Sequence, residues 1–187
     1  MTRAEGLEIA ETAVEERAAQ LFRSGDEDRD WYVFHTRPRC EKKAAKICLD
    51  YNICHYLPLR QNTHRKRGRT YSFDVPLFAG YIFGSCDSGE RLALLQSGFL
   101  VRTIEVVDQQ RLLDELHNIY LASHQIDDLA LYPQLKRGRL VRMLKGPLRG
   151  VEGRISKRKD GMRLVLNVSI LGTAVAAEVD MDDVELI

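Results

Sequence analysis

Apolar and polar positions alternate most strictly between Met162 and Ile170. Met162, Leu164, Leu166, Val168 and Ile170 fall on one side, Arg163, Asn167 and Ser169 on the other. Only Val165 departs from this period of two, which predicts a half-buried strand. Val175, Ala177 and Val179 repeat the pattern after a turn at Leu171-Gly172-Thr173. Upstream, Val141 and Met143 lead into a segment punctuated by Gly146, Gly150 and Gly153, where glycine permits a sharp turn or a close backbone approach. Lys159-Asp160-Gly161-Met162 places Asp-Gly between two strand-like runs, the signal of a two-residue hairpin with positive φ at its centre. Short, evenly spaced strands over residues 136–187 predict a small closed β-barrel.

The first half reads differently. Trp31–Thr36 predicts a strand, and Pro38 the first turn of a helix reaching about Asp50. Cys40, Ala44, Ile47, Cys48 and Tyr51 share one face of that helix, while Arg39, Lys42, Lys43 and Lys46 line another. Ile53–Leu59 and Thr70–Val75 read as the arms of a long hairpin with a basic tip, His64 to Arg69. The aromatic-rich run Val75–Phe83 predicts a strand with Tyr81 and Phe83 on one face and Ile82 opposite. A short helix (Gly89–Gln96), a strand (Leu100–Val107) and a helix (Gln109–Leu121) follow. Ser123–Leu135, with Pro133 and Asp127-Asp128, has the composition of a linker. Ahead of all this, Leu7 to Phe22 has helical apolar spacing, and residues 23–30 are polar; this predicts either a frayed tail or a docking helix.

The fold class is therefore α+β: an acidic tail (1–29), an antiparallel sheet flanked by helices (30–122), a linker (123–135) and a small SH3-like barrel (136–187).

Charge is banded although the net value is only +1. Residues 31–80 carry ten basic and three acidic side chains, and residues 136–163 eleven and two; the three remaining bands are each acidic. Two basic segments flanked by acid suit two separate modules, and basic patches point to polyanions or acidic surfaces. The longest uncharged run, Leu164–Ala177, is too short and too polar to span a bilayer, and the acidic start has no apolar signal core. A cytoplasmic location, no membrane association and a monomer are expected. Cys40, Cys48, Cys54 and Cys86 read as reduced thiols.

Catalytic and metal chemistry find no support. Cys40, Cys48 and Cys54-His55 lack the spacing of a zinc knuckle, and two of these thiols sit on an apolar helix face. The Gly146–Gly153 segment lacks the Gly-Lys-Ser/Thr and the helix of a phosphate-binding loop. No nucleophile lies in a recognisable motif. No enzyme, cofactor or metal is expected.

Trp31-Tyr32-Val33 with the basic helix, then Val75-Pro-Leu-Phe-Ala-Gly-Tyr-Ile-Phe83, resembles the N-terminal domain of NusG-family transcription factors. The Gly146/Gly150/Gly153 segment resembles their KOW motif, and Val168-Ser-Ile-Leu-Gly-Thr-Ala-Val175 the barrel strands after it. The resemblance implies a factor that binds RNA polymerase and suppresses pausing or termination. An apolar depression around Phe78, Tyr81, Phe83 and Val101 would grip the clamp helices of the largest subunit. Arg37, Arg39, Lys42, Lys43, Lys46, Arg65, Lys66, Arg67 and Arg69 would face DNA of the elongation complex. The barrel, through Ile170, Leu171, Gly172 and Thr173, would recruit Rho or a small-subunit ribosomal protein. Ala79 stands where family members commonly have Pro, and Leu171-Gly172-Thr173 where many have Phe-Gly-Arg. The basic hairpin and Tyr56-Leu57-Pro58-Leu59 look more like specialised, RfaH-like antiterminators. The other reading is a KOW-containing ribosome- or RNA-binding protein, kept open by the charge of residues 136–163.

Overall fold

The computed structural model describes residues 16–22, 28–66, 69–126, 129–158 and 161–187. Two compact units divide the chain: Ser24–Gln109, and Met1–Arg23 with Gln110–Ile187. The divide falls at the start of the helix Gln109–Gln125, whereas the sequence suggested a boundary after residue 122.

The Ser24–Gln109 unit is built on a four-stranded antiparallel sheet. Its strands are β1 (Asp30–Thr36), β2 (Cys54–Tyr56), β5 (Tyr81–Cys86) and β6 (Leu100–Glu105), in the order β2-β5-β1-β6. β3 (Leu59–Lys66) and β4 (Arg69–Pro76) form a separate two-stranded sheet. Alternation along β1 and β5 sends Phe34 and Ile82 to one face, where they pack with Ala44 and Cys48 of α1 (Glu41–Asp50), Leu94 of α2 (Ser88–Gln96) and Leu100.

Two caps fix these helices. Asp87 accepts from the Glu90 amide at 2.8 Å while Glu90 accepts from the Asp87 amide at 3.0 Å, a reciprocal capping box. At the end of α1, Asn52 takes φ +54°, with Asn52 N–H donating to Leu49 C=O and Ile53 N–H to Cys48 C=O. That is a Schellman ending with Asn in place of Gly. The start of α1 differs from the sequence reading. Pro38 lies before the helix, in a turn closed by Cys40 N–H to Arg37 C=O at 3.0 Å, with Arg39 at φ +61°. Pro at the second position and a left-handed third residue describe a type II turn, whose strain here falls on an arginine.

The C-terminal unit carries a six-stranded antiparallel sheet. Its strands are β7 (Ala130–Pro133), β8 (Leu140–Met143), β9 (Glu152–Arg158), β10 (Gly161–Val168), β11 (Thr173–Val179) and β12 (Val184–Leu186), ordered β12-β8-β9-β10-β11-β7. The outer strands β12 and β7 are not hydrogen-bonded to each other, so among the described residues the ladder is not a closed ring. Val141, Gly153, Leu164, Leu166, Val168 and Val175 are buried, as alternation predicts. β9 and β10 meet with Arg158 opposite Gly161. Gly161 is therefore the first paired residue of β10 rather than a central turn residue, and Lys159-Asp160 lie outside the described residues.

β7 occupies the segment that reads as a linker. It pairs with β11 (Ala176 opposite Ala130, Thr173 opposite Pro133), and Asn167 clamps Leu135 by accepting from its N–H and donating to its C=O, both at 3.0 Å. Tyr132 and Leu135 cover Val165, Ala174 and Ala176, which explains the one break in the alternation: that position is buried on the second face. The helix α3 (Gln109–Gln125) belongs to this unit from Gln110 onward. Residues 16–21 are helical, with Ala18 and Phe22 buried and Phe22 packed edge-on to Tyr120 at 5.8 Å. The end of the acidic tail is thus helical and anchored.

Candidate functional site

In the Ser24–Gln109 unit, the basic candidates lie on neighbouring elements. Arg37 and Arg39 are exposed on the turn before α1, and Lys42, Lys43 and Lys46 on the outer face of that helix. Lys42 Nζ donates to the Asp74 carbonyl at 2.8 Å, tying the basic helix to the foot of the hairpin. Lys43 Nζ lies 5.7 Å from the centre of the Phe99 ring, a cation–π distance. Arg65 and Arg69 are exposed near the hairpin tip. Arg67 lies outside the described residues, as does the side chain of Lys66. α1 is therefore tied to the foot of the basic hairpin.

The aromatic candidates divide. Phe83 is fully buried and Phe78 is 4% exposed, the two rings meeting edge to face at 6.3 Å. Tyr81 is half-buried and stacks on His35 at 5.2 Å, while Val101 on β6 is 55% exposed. Of these four, Tyr81 and Val101 present surface, while Phe78 and Phe83 are buried. Register decides this, because Tyr81 is opposite His35 at the strand end while Phe83 is opposite Val33 in the middle.

Glu41 is a residue the sequence reading passed over. It is 7% exposed, and its carboxylate accepts from Gly80 N–H at 2.7 Å, while the Gly80 carbonyl accepts from Thr36 N–H at 2.8 Å. Gly80 has φ +84°, which glycine adopts without penalty. The turn ahead of Tyr81 is thus pinned from both sides, and the basic helix is coupled to the aromatic strand. The available signal was an acid in the first turn of an otherwise basic helix.

In the C-terminal unit, Ser169–Leu171 forms a 3-10 turn and Gly172 follows at φ +64°. Ile170, Leu171 and Thr173 are half-buried and Gly172 exposed. Glu115 of α3 accepts from both the N–H (2.8 Å) and Oγ (2.5 Å) of Ser169, and Arg111 donates to the same Oγ at 2.7 Å. Asn118 accepts from Glu152 N–H at 2.6 Å. The expected recruiting loop is therefore braced by α3 at Ser169, the residue before it.

Three of the eleven basic side chains of residues 136–163 are internally engaged, while Lys136, Arg137, Arg139, Lys145, Arg149 and Lys157 are exposed. Arg142 pairs with Glu152 at 2.6 Å, Arg163 with Glu178 at 3.3 Å, and Arg154 donates to the Gly138 carbonyl at 2.8 Å. A cleft of about 490 Å³ is lined by Met143, Leu148 and Met162 together with Lys145, Glu178, Asp180 and Asp183.

Burial pushes the Cys48 and Cys86 thiols up to about 12 and raises Cys54 in the same direction. A thiol held protonated is neither a nucleophile nor a ready metal ligand. Among the described residues no group of three or more His, Cys, Asp or Glu side chains stands close enough to hold a metal. Nor is any described helix long and apolar enough to cross a membrane.

The arrangement of β1, the basic helix and the aromatic strand coincides with a known domain. The family model described as "Transcription termination factor nusG" matches residues 29–114. Over that stretch the chain is similar to the NusG family. That likeness points to transcription elongation or termination. A solved structure titled "Domain interaction in Thermotoga maritima NusG" is similar at 19% identity and a TM-score of 0.46, covering 87% of this chain and 99% of that one. At that score the likeness supports no statement about this chain's own domain arrangement. No curated protein matches.

Proposed function

We propose that this chain is a NusG-family elongation factor that binds RNA polymerase through the Ser24–Gln109 unit and recruits a second partner through the C-terminal sheet. The observation that carries the reading is the joining, within one unit and inside the family match, of an aromatic edge and a basic flank. Tyr81 and Val101 would meet the clamp helices of the largest subunit, with buried Phe78 and Phe83 fixing the shape of that edge. Glu41 would hold it at a set distance from Arg37, Lys42 and Lys46, which would contact DNA phosphates of the elongation complex. Arginine and lysine on phosphate position a protein without reading sequence.

The turn Ile170-Leu171-Gly172-Thr173 would recruit Rho or a small-subunit ribosomal protein. Two weak contacts on one chain reinforce each other, because the second becomes intramolecular once the first has formed. Direct RNA binding by the C-terminal sheet is the second reading: Arg142, Arg154 and Arg163 are internally engaged, and its cleft is lined by three acids and one lysine.

Val101→Glu tests the polymerase contact without disturbing the core. Retention on immobilised polymerase should fall at least tenfold, and pause suppression in single-round transcription should be lost. Wild-type retention by Val101→Glu and Tyr81→Ala together would remove the clamp-docking assignment. The same transcription assay with and without Rho separates a terminating factor from an antiterminating one.

A further inference from the structure

We propose that the outer edge of β11 is a strand-accepting peptide site, which this chain fills with its own linker strand β7 and which an extended partner segment of the same pattern can take over. The proposal rests on the recruiting role proposed above for residues 170–173 and adds the regulation of that site.

β7 covers buried residues without being buried itself. Tyr132 is half-buried, and Ala130, Leu131 and Pro133 are exposed. Beneath them Val165, Ala174 and Ala176 are buried, with Tyr132 and Leu135 packed over them. Leu164, Leu166 and Val175 point to the other face, because side chains alternate along a strand. β7 can therefore leave without opening that core. Segments with little of their own surface buried open more readily than the core they rest on. Pairing with β11 also stops at Pro133, which has no N–H to offer.

The contacts that hold β7 are those of a peptide site. Asn167 grips the main chain of Leu135 through both its N–H and its C=O, each at 3.0 Å. Thr173 Oγ1 donates to the Tyr132 carbonyl at 3.4 Å, and the Tyr132 hydroxyl lies 3.3 Å from Ser156 Oγ. In strand addition, main-chain bonds give affinity and side-chain seats give specificity. Here the seats take an aromatic and, three residues on, an aliphatic, both on an uncharged segment.

Left bare, an unpaired strand beside an apolar shelf is a template for pairing with another chain. β7 fills that template. Thr173 belongs both to this edge and to the recruiting turn, so a partner on the turn lies next to the strand it must displace. The linker competes as a tethered ligand, at an effective concentration on the order of millimolar. A partner already held at the turn presents its own segment on similar terms.

The test uses the full chain and fluorescence anisotropy with a labelled peptide of residues 129–135, Leu-Ala-Leu-Tyr-Pro-Gln-Leu. Tyr132→Ala/Leu135→Ala empties the site and should bind this peptide at least tenfold more tightly than wild type. A site closed about nine-tenths of the time loses roughly that factor in apparent affinity. Adding Asn167→Ala should abolish the gain, as should replacing Tyr132 and Leu135 of the peptide by Ala. Ala130→Cys/Ala176→Cys in a Cys54→Ser background keeps the native seats filled. These two positions are directly opposite, about 4.5–5.5 Å apart and within disulfide reach. The oxidised form should lose even the residual wild-type binding, and reduction should restore it. Equal affinity of wild type and the emptied variant, or peptide binding that survives the disulfide or the Asn167 change, would overturn the proposal. A doubled mass of wild type in light scattering, lost in Tyr132→Ala/Leu135→Ala, would make a second copy the occupant and overturn the partner assignment. If exchange fails while Rho or small ribosomal subunits still bind the chain, the strand site falls and recruitment stands. If exchange holds but neither binds the emptied variant, recruitment falls and the strand site stands.

Discussion

Gly153 lies at the tightest backbone approach among the glycines of the C-terminal sheet, and replacing it with alanine should destabilise that unit for a reason distinct from its neighbours. A Cβ there would sit 2.8 Å from Leu166 Cδ2, 2.9 Å from Leu164 Cδ1 and 2.9 Å from the Val165 carbonyl oxygen. Both leucines are buried and cannot swing outward, and the carbonyl belongs to the strand paired with β9. Overpacking of this kind costs about 1–3 kcal/mol. Loss of unfolded-state freedom returns roughly 0.4–1 kcal/mol, leaving a net loss of about 1–2 kcal/mol.

For a chain of this length such a loss lowers the melting temperature by roughly 2–8 °C. Gly146 provides the control. Its φ is +75° with open space around the Cβ position, so only backbone strain opposes substitution there. Asparagine tolerates that region better than alanine. Gly146→Asn should therefore unfold close to wild type, whereas Gly153→Asn should be worse than Gly153→Ala. Thermal unfolding by circular dichroism reads both. A wild-type melting temperature for Gly153→Ala, or a larger loss from Gly146→Asn than from Gly153→Asn, would show that close approach is not the reason for glycine at 153.

Burial raises the thiols of Cys48 and Cys86 to about 12, so the folded chain keeps them protonated where an unfolded chain ionises them. The stability they contribute is complete below the ordinary thiol range and declines as pH rises from about 9 toward 12. Cys48→Ala/Cys86→Ala should lose less melting temperature between pH 8 and pH 11 than wild type does, and an equal loss would contradict the burial account. Iodoacetamide at pH 8 should label Cys54 while sparing Cys48 and Cys86. Asn167→Ala removes both hydrogen bonds to Leu135, at roughly 1–2 kcal/mol. Deuterium exchange should then accelerate across residues 130–133, and unchanged exchange there would mean that β7 is held by pairing with β11 alone.

Much of the architecture is legible from local pattern, because a strand half covered by core imposes its period on its own residues. β10, β11, the basic helix and the aromatic strand all follow from such patterns. The order α+β then small β-sheet follows from them in turn. What local pattern leaves open depends on partners distant in sequence. Ala130–Pro133 has the composition of a linker, and becomes a strand because β11 offers it an edge some forty residues later. That same pairing buries Val165, the residue that broke the alternation.

The candidate sites divide along the same line. The basic character of α1 and of the hairpin is a property of composition, visible without coordinates. Which aromatic side chains reach solvent is set by register and by coverage: Phe83 lies in the middle of its strand and is buried, Tyr81 stands at its end and stacks on His35, and Tyr71 and Phe73 share an exposed ribbon face. Glu41 shows the limit most plainly. Its residue type and helical position are written in the chain, but its bond to Gly80 exists only because the fold brings together two residues thirty-nine positions apart. Composition and periodicity determined which elements form and where charge collects; long-range pairing decided which of their side chains remain available to a partner, because burial is a property of neighbours.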